Sequence, residues 1–170
     1  MNEAEPVVRI SVGVVVECRK AASSWVEEVW RPVSVLYGIP DAAPWTKLSA
    51  DEKAAMFYAG KAEVELYRSE VENYSRNLAS QAPLVWVSLH ETRNEPPYEI
   101  AAVTVDPAEG EALTEPGQAL VEAVPMPEAL REAVDDFIAA HYVEQPFEKR
   151  VRDRADPEAL SRRSPMRERR

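Results

Sequence analysis

The sequence predicts an α+β fold: a mostly antiparallel sheet with a C-terminal amphipathic helix packed on it and a disordered basic tail behind. Three observations carry that expectation. From Val8 to Cys18 the even positions are Val8, Ile10, Val12, Val14, Val16 and Cys18, the period of a half-buried strand. After Pro127, Leu130, Val134, Phe137, Ile138 and His141 recur at steps of three and four, the period of one helix face. Beyond Pro146 the apolar periodicity stops and basic residues accumulate. The expected boundaries are a single domain over residues 7–145 and a basic tail over residues 146–170, flexible unless a partner holds it.

The remaining elements follow in chain order. Arg19 to Ser24 reads as a turn. Trp25 to Gly38 reads as a second strand, broken at Arg31-Pro32 because proline removes a ladder donor and suits an edge or a bulge. Ile39 to Trp45 holds Pro40 and Pro44 and reads as a loop. Ser49-Ala50-Asp51-Glu52 has the form of a capping box, so a short helix is expected from there to Gly60. Ala62, Val64 and Leu66 alternate as a third strand. Ser69-Glu70-Val71-Glu72 is a second capping box, and Val71, Tyr74 and Leu78 fall at helical spacing before Pro83. Leu84 to Leu89 is apolar apart from Ser88, as in a central strand covered on both faces. Asn94 to Pro97 is a turn, and Tyr98 to Val105 returns as an antiparallel partner. Asp106 to Gly117 reads as a loop whose Glu and Ala content permits a helical turn, and Leu120 to Val124 as a last strand. Pro127 then opens the final helix, where its missing N–H costs nothing.

A chain of 170 residues suits one domain with a tail, and its own core needs no disulfide or metal. The lone Cys18 has no internal partner, which favours a reducing compartment. The acidic N-terminus lacks the pattern of a signal peptide, and the longest apolar run, Val12 to Val16, is far too short for a membrane helix. A cytoplasmic location without membrane contact is expected.

Catalytic chemistry finds little to work with. His90 and His141 stand apart, and no His-x-x-x-His or Cys-x-x-Cys spacing is present. No glycine-rich phosphate loop is present either. Cys18 falls on the apolar face of its strand, where it reads as an inert core residue rather than a nucleophile. The expectation is therefore no enzyme activity, no catalytic residue, no metal and no cofactor.

Charge points instead to contact. Lys149 to Arg170 holds nine basic and four acidic side chains, a net +5, which leaves −15 for the rest of a chain whose formal net charge is −10. That body repels a polyanion, and no aromatic residue interleaves the basic ones after Phe147, so nucleic acid is not the expected partner. A protein partner is. Its expected contacts are Trp25, Trp30 and Arg31, residue types enriched at interface hot spots, together with Phe147, Lys149, Arg150, Arg152 and Arg154 of the tail. Trp25 and Trp30 fall on opposite strand faces unless a bulge intervenes.

Several segments resemble an uncharacterised family of small bacterial proteins encoded in formate dehydrogenase gene neighbourhoods. They are Val12-Gly13-Val14-Val15-Val16-Glu17, Trp25…Trp30-Arg31-Pro32-Val33-Ser34-Val35-Leu36, Glu65-Leu66-Tyr67-Arg68-Ser69-Glu70…Tyr74…Asn77-Leu78, Val124-Pro125-Met126-Pro127 and His141-Tyr142…Pro146-Phe147-Glu148-Lys149-Arg150-Val151-Arg152-Asp153. The resemblance implies a non-catalytic accessory protein or small subunit docking on a molybdenum or tungsten formate dehydrogenase, and it assigns no residue roles. The alternative it implies is a small-molecule-handling protein in molybdenum-cofactor delivery or maturation. That alternative needs a basic pocket for phosphates, for which Arg68, Arg76 and Arg93 are the candidates.

Overall fold

Strand β1 (Val8–Lys20) organises the molecule, because it is hydrogen-bonded along both edges. The computed structural model describes residues 5–25, 27–114, 117 and 119–143. Antiparallel to β1 run β2 (Glu28–Tyr37) on one side and β4 (Ala54–Leu66) on the other, and β3 (Thr46–Ala50) lies outside β4, giving the order β2-β1-β4-β3. A second antiparallel sheet has β5 (Leu84–Glu91) between β6 (Tyr98–Thr104) and β7 (Ala119–Pro125). The two sheets meet with β4 beside β6 and β2 beside β7. Three short helices complete the described residues: α1 (Val71–Ala79), α2 (Pro107–Leu113) and α3 (Glu128–His141).

The expected fold class is corrected on this evidence. In place of one mostly antiparallel sheet closed by a C-terminal amphipathic helix, there are two antiparallel sheets and three short helices distributed among them. The expected disordered basic tail lies outside the described residues. Two elements also change type. The helix expected from Ser49 to Gly60 is a β-hairpin, β3 turning into β4. The Asp51 carboxylate accepts from the Lys53 and Ala54 amides at 2.7 and 2.9 Å and so closes the turn. Ala54 to Tyr58 then pair with β1 as well as β3, and pairing on both edges outweighs a local capping signal. The loop expected from Asp106 contains α2, whose N-cap is Asp106 accepting from the Ala108 amide at 2.8 Å. Ser69 caps nothing; it sits in a 3-10 turn (Arg68–Glu70) leading into α1.

The core gathers Val12, Val14, Val16, Val64 and Leu66 from the first sheet and Val85, Val87, Leu89 and Val103 from the second. Helices α1 and α3 close it with Tyr74, Leu130, Val134 and Phe137. β1 is more deeply set than its alternation implies, since residues 12–17 are buried on both faces. The far side is covered by Tyr58 and Pro40, which leave no space for a side chain at Gly13: a Cβ there meets Tyr58 Cε2 at 2.9 Å and Pro40 Cδ at 3.3 Å. Buried Asn77 ties α1 to the second sheet. Its amide donates to the Leu84 and Val105 carbonyls, both at 2.8 Å, and accepts from the Leu84 amide at 3.0 Å.

On the outer face of the second sheet, Trp86 lies flat beneath α2 at Gly110. A Cβ added to Gly110 falls 2.3 Å from Trp86 Cγ, inside contact distance of a rigid ring. We expect Gly110→Ala to destabilise the fold by about 1–3 kcal/mol through overpacking, although alanine is the better helix former. Urea unfolding of the two proteins measures it, and equal stability refutes the packing account.

Candidate functional site

The first sheet changes direction halfway along β1. Against β4, Val14 pairs with Gly60 and Val15 with Tyr58, so Ala59 is an extra residue. Against β2, Val15 pairs with Ser34 and Val16 with Pro32, so Val33 is extra. Two bulges at one level bend and twist the sheet. The Arg31-Pro32 step is thus a bulge in a continuous edge strand rather than a break.

Beyond the bend, the face that carries Val12, Val14 and Val16 leaves the core and opens to solvent. Trp30 stands directly across from Cys18, and Phe57 across from Val16. These side chains join Trp45 and Tyr98 in an aromatic cluster. Ring centroids lie 5.9 Å apart for Trp30–Trp45, 5.6 Å for Trp30–Phe57 and 6.2 Å for Trp30–Tyr98. The Lys47 ammonium sits 5.8 Å above the Phe57 ring, a cation–π contact. All four aromatics are half-buried, and Trp30, Trp45 and Tyr98 also pack against the core.

Two clefts meet at this cluster. One, of about 390 Å³, is lined by Cys18, Trp30, Lys47 and Phe57, with Lys20, Lys53, Glu28 and Glu52 around it. The other, of about 380 Å³, is lined by Pro44, Trp45, Tyr98 and Ile100, with Lys61 and Glu99. Glu95 and Pro96, from the turn between β5 and β6, line both. Trp45 itself has a φ of +65°, a left-handed backbone that is a genuine outlier for a bulky side chain. Its amide donates to the Tyr58 carbonyl, which holds it there. Strain of this kind, of order 1–3 kcal/mol, gathers at ligand clamps and similar sites.

The titratable groups around the clefts are held by their surroundings. Burial, followed by the negative charges of Glu28 and Glu95, pushes the Cys18 thiol up to about 11, so it stays protonated at neutral pH. On the opposite face of the same strand, Glu17 is only 4% exposed. It accepts from Arg31 Nε at 3.0 Å and from Arg19 Nε and Nη2 at 3.3 and 3.2 Å. The Arg19 bonds, then those from Arg31, hold its carboxyl below the ordinary range against the cost of burial. His90 is exposed, with Nε2 3.4 Å from Glu99.

The expected contact residues separate in space. Trp25 lies in the β1–β2 turn, 93% exposed. It precedes β2, so strand alternation does not govern it. Trp30 joins the aromatic cluster, and Arg31 points to the other face and holds Glu17. Phe147, Lys149, Arg150, Arg152 and Arg154 lie outside the described residues. Arg68, Arg76 and Arg93 do not converge: Arg76 pairs with Glu72 on α1, Arg68 sits in the 3-10 turn, and Arg93 follows the far end of β5. Sequence reasoning missed Trp45, Phe57, Tyr98, Lys47 and Glu95. The run Met56-Phe57-Tyr58, rich in residues that favour strands, was the available signal for the β3–β4 hairpin.

The family model described as "Protein of unknown function (DUF3305)" matches residues 11–151. The chain belongs to this family. Neither the curated proteins nor the solved structures contain a match to it. The family's description does not mention formate dehydrogenase, so the label implied by the resemblance is corrected to membership in a family of unknown function. Among the described residues no helix is long and apolar enough to cross a membrane.

Two outcomes check this description. The shift of Cys18 from 9.0 to about 11 lowers its thiolate population roughly a hundredfold, so native alkylation at pH 7 should be slower than that of an unfolded control by about that factor. Labelling at the unfolded rate refutes the assignment. Glu17→Gln should cost about 1–3 kcal/mol at pH 7, because two arginines lose a charged acceptor. The lowered pKa means that the carboxylate's contribution is present above pH 4.5 and is lost as pH falls through its folded value. The gap between wild type and Glu17→Gln should therefore narrow on acidification, and a gap independent of pH overturns the ion-pair account.

Proposed function

We propose that this protein is a non-catalytic accessory protein that docks on another polypeptide, with the aromatic clefts as the main seat. The observation that carries the proposal is the cluster of Trp30, Trp45, Phe57 and Tyr98, half-buried and lining two clefts that share the Glu95–Pro96 turn. Rigid aromatic surface held open between charged rims is the composition of an interface hot spot, where a few residues carry most of the affinity. Solvated Trp25 supplies a second contact.

The residue resemblance proposes a formate dehydrogenase subunit as the partner to try first, and the cleft chemistry is compatible with any polypeptide offering apolar anchors and mixed charge. Cofactor delivery has no observation in its favour, because Arg68, Arg76 and Arg93 line neither cleft.

The decisive experiment is capture of partner protein from the native host on full-length bait. Two variants probe the clefts: Trp30→Ala removes the central ring, and Lys47→Glu with Glu95→Lys reverses the rim while leaving the rings in place. A hot-spot ring is worth about 2 kcal/mol or more, roughly a thirtyfold loss of affinity. We expect such a loss for Trp30→Ala and a smaller one for the rim pair, both with native melting behaviour. Unchanged affinity in the two folded variants refutes the cleft as the docking seat.

A further inference from the structure

Most of the large apolar side chains that the described residues leave exposed gather at one end of the molecule. Val7, Val8, Tyr37, Ile39, Tyr142 and Val143 are all exposed. Val8 and Tyr37 line, and Val7, Ile39, Tyr142 and Val143 follow or precede by one or two residues the lining of, a cleft of about 620 Å³ between the start of β1, the end of β2 and the last turns of α3. Its apolar floor includes Ile10, Ala133, Phe137 and Ala140. This is the opposite end of β1 from the aromatic clefts. Its rim is acidic along α3, and on the β1 side it carries Arg9, whose charge Glu65 and Glu63 take up. Asp136 lines the cleft, and Glu132, one helical turn earlier and exposed, lies on the same side. Neither makes an ion pair among the described residues, whereas Glu128 pairs with Arg131.

The chain itself supplies a fitting occupant. His141 lines the cleft, and Phe147 follows six residues later, a length that spans up to about 20 Å. Lys149, Arg150, Arg152 and Arg154 come directly after it. The family match runs to residue 151, eight residues past Val143, so the family's unit includes Phe147 and the first two basic residues. We propose that this cleft is the seat of the chain's own segment 144–154, with Phe147 filling the apolar floor and Lys149 and Arg150 facing Glu132 and Asp136. A phenylalanine covered there removes exposed apolar surface from a protein whose other face is free for docking. The charge match has a direction: an acidic α3 receives the one basic stretch of an acidic chain. The inference concerns a different face from the aromatic clefts, so the two stand or fall separately.

Two measurements on the full chain test it. In a Cys18→Ala background, Ala140→Cys with Glu148→Cys should form an intramolecular disulfide under mild oxidation, and the protein should remain monomeric in light scattering. Trp25→Cys with Glu148→Cys should not form one. Free thiols in the first pair overturn the proposal. A disulfide-linked dimer overturns it too, since the seat then belongs to a second copy. Independently, hydrogen exchange should be at least fivefold faster over Phe137–His141 in Phe147→Ala than in wild type, with the β3–β4 hairpin unchanged. Raising salt to 1 M should reproduce part of that increase by screening the basic contacts. Identical exchange in Phe147→Ala and wild type also refutes the seat.

Discussion

Two extra residues, Val33 on β2 and Ala59 on β4, face each other across an uninterrupted β1, and most of the structure follows from them. A single bulge bends one strand locally. Two at the same level, on both neighbours, turn the whole sheet while β1 stays paired with both. The half of β1 from Ile10 to Val16 then supplies the core, and beyond it Cys18 carries Trp30 of the neighbouring strand out to the cleft beside Tyr98 and the Glu95–Pro96 turn. Gly60, with a φ of +136°, sits beside the bulge, where few other residues adopt the backbone that is needed.

The bend gives one sheet face two environments. Val12, Val14 and Val16 are completely buried, while Cys18, two residues on, is half-open beneath Trp30. A face that leaves a core normally exposes aliphatic surface. Here it exposes rings, kept apart by their own packing and by the outlying backbone of Trp45. The other side of the bent half is held by charge: Glu17, buried between Arg19 and Arg31, pins β2 to β1 where side-chain packing thins out. Arg31 is therefore chiefly a fastening for the strand that presents Trp30.

Long-range charge agrees with this division. The acidic body and the basic C-terminal stretch attract each other over a Debye length of about 8 Å at physiological salt. Such a field favours basic segments on α3 and leaves the aromatic clefts, whose rims mix Lys20, Lys47 and Lys53 with Glu28, Glu52 and Glu95, nearly neutral.

Periodicity alone determined much about this protein. β1, β5 and α3 each announce themselves by a repeat of two, a continuous apolar run or a repeat of three and four, because burial of one face imposes that repeat on the sequence. Pro32 marked the irregularity in β2 for a similarly local reason, the missing N–H, although the expected break is a bulge in a continuous strand. The hairpin at Ser49–Gly60 was illegible because Ser-Ala-Asp-Glu satisfies a helix cap and a hairpin turn equally well, and only pairing with β1 decides between them. The number of sheets was likewise decided by tertiary structure: strand patterns state that a face is covered, not by which partner. The aromatic clefts belong to the same class. Trp30, Trp45, Phe57 and Tyr98 come from three separate strands and a loop, so no spacing along the chain connects them. The bend at Val14–Val16 brings them together, and its cause is a register difference between strands that no single strand records.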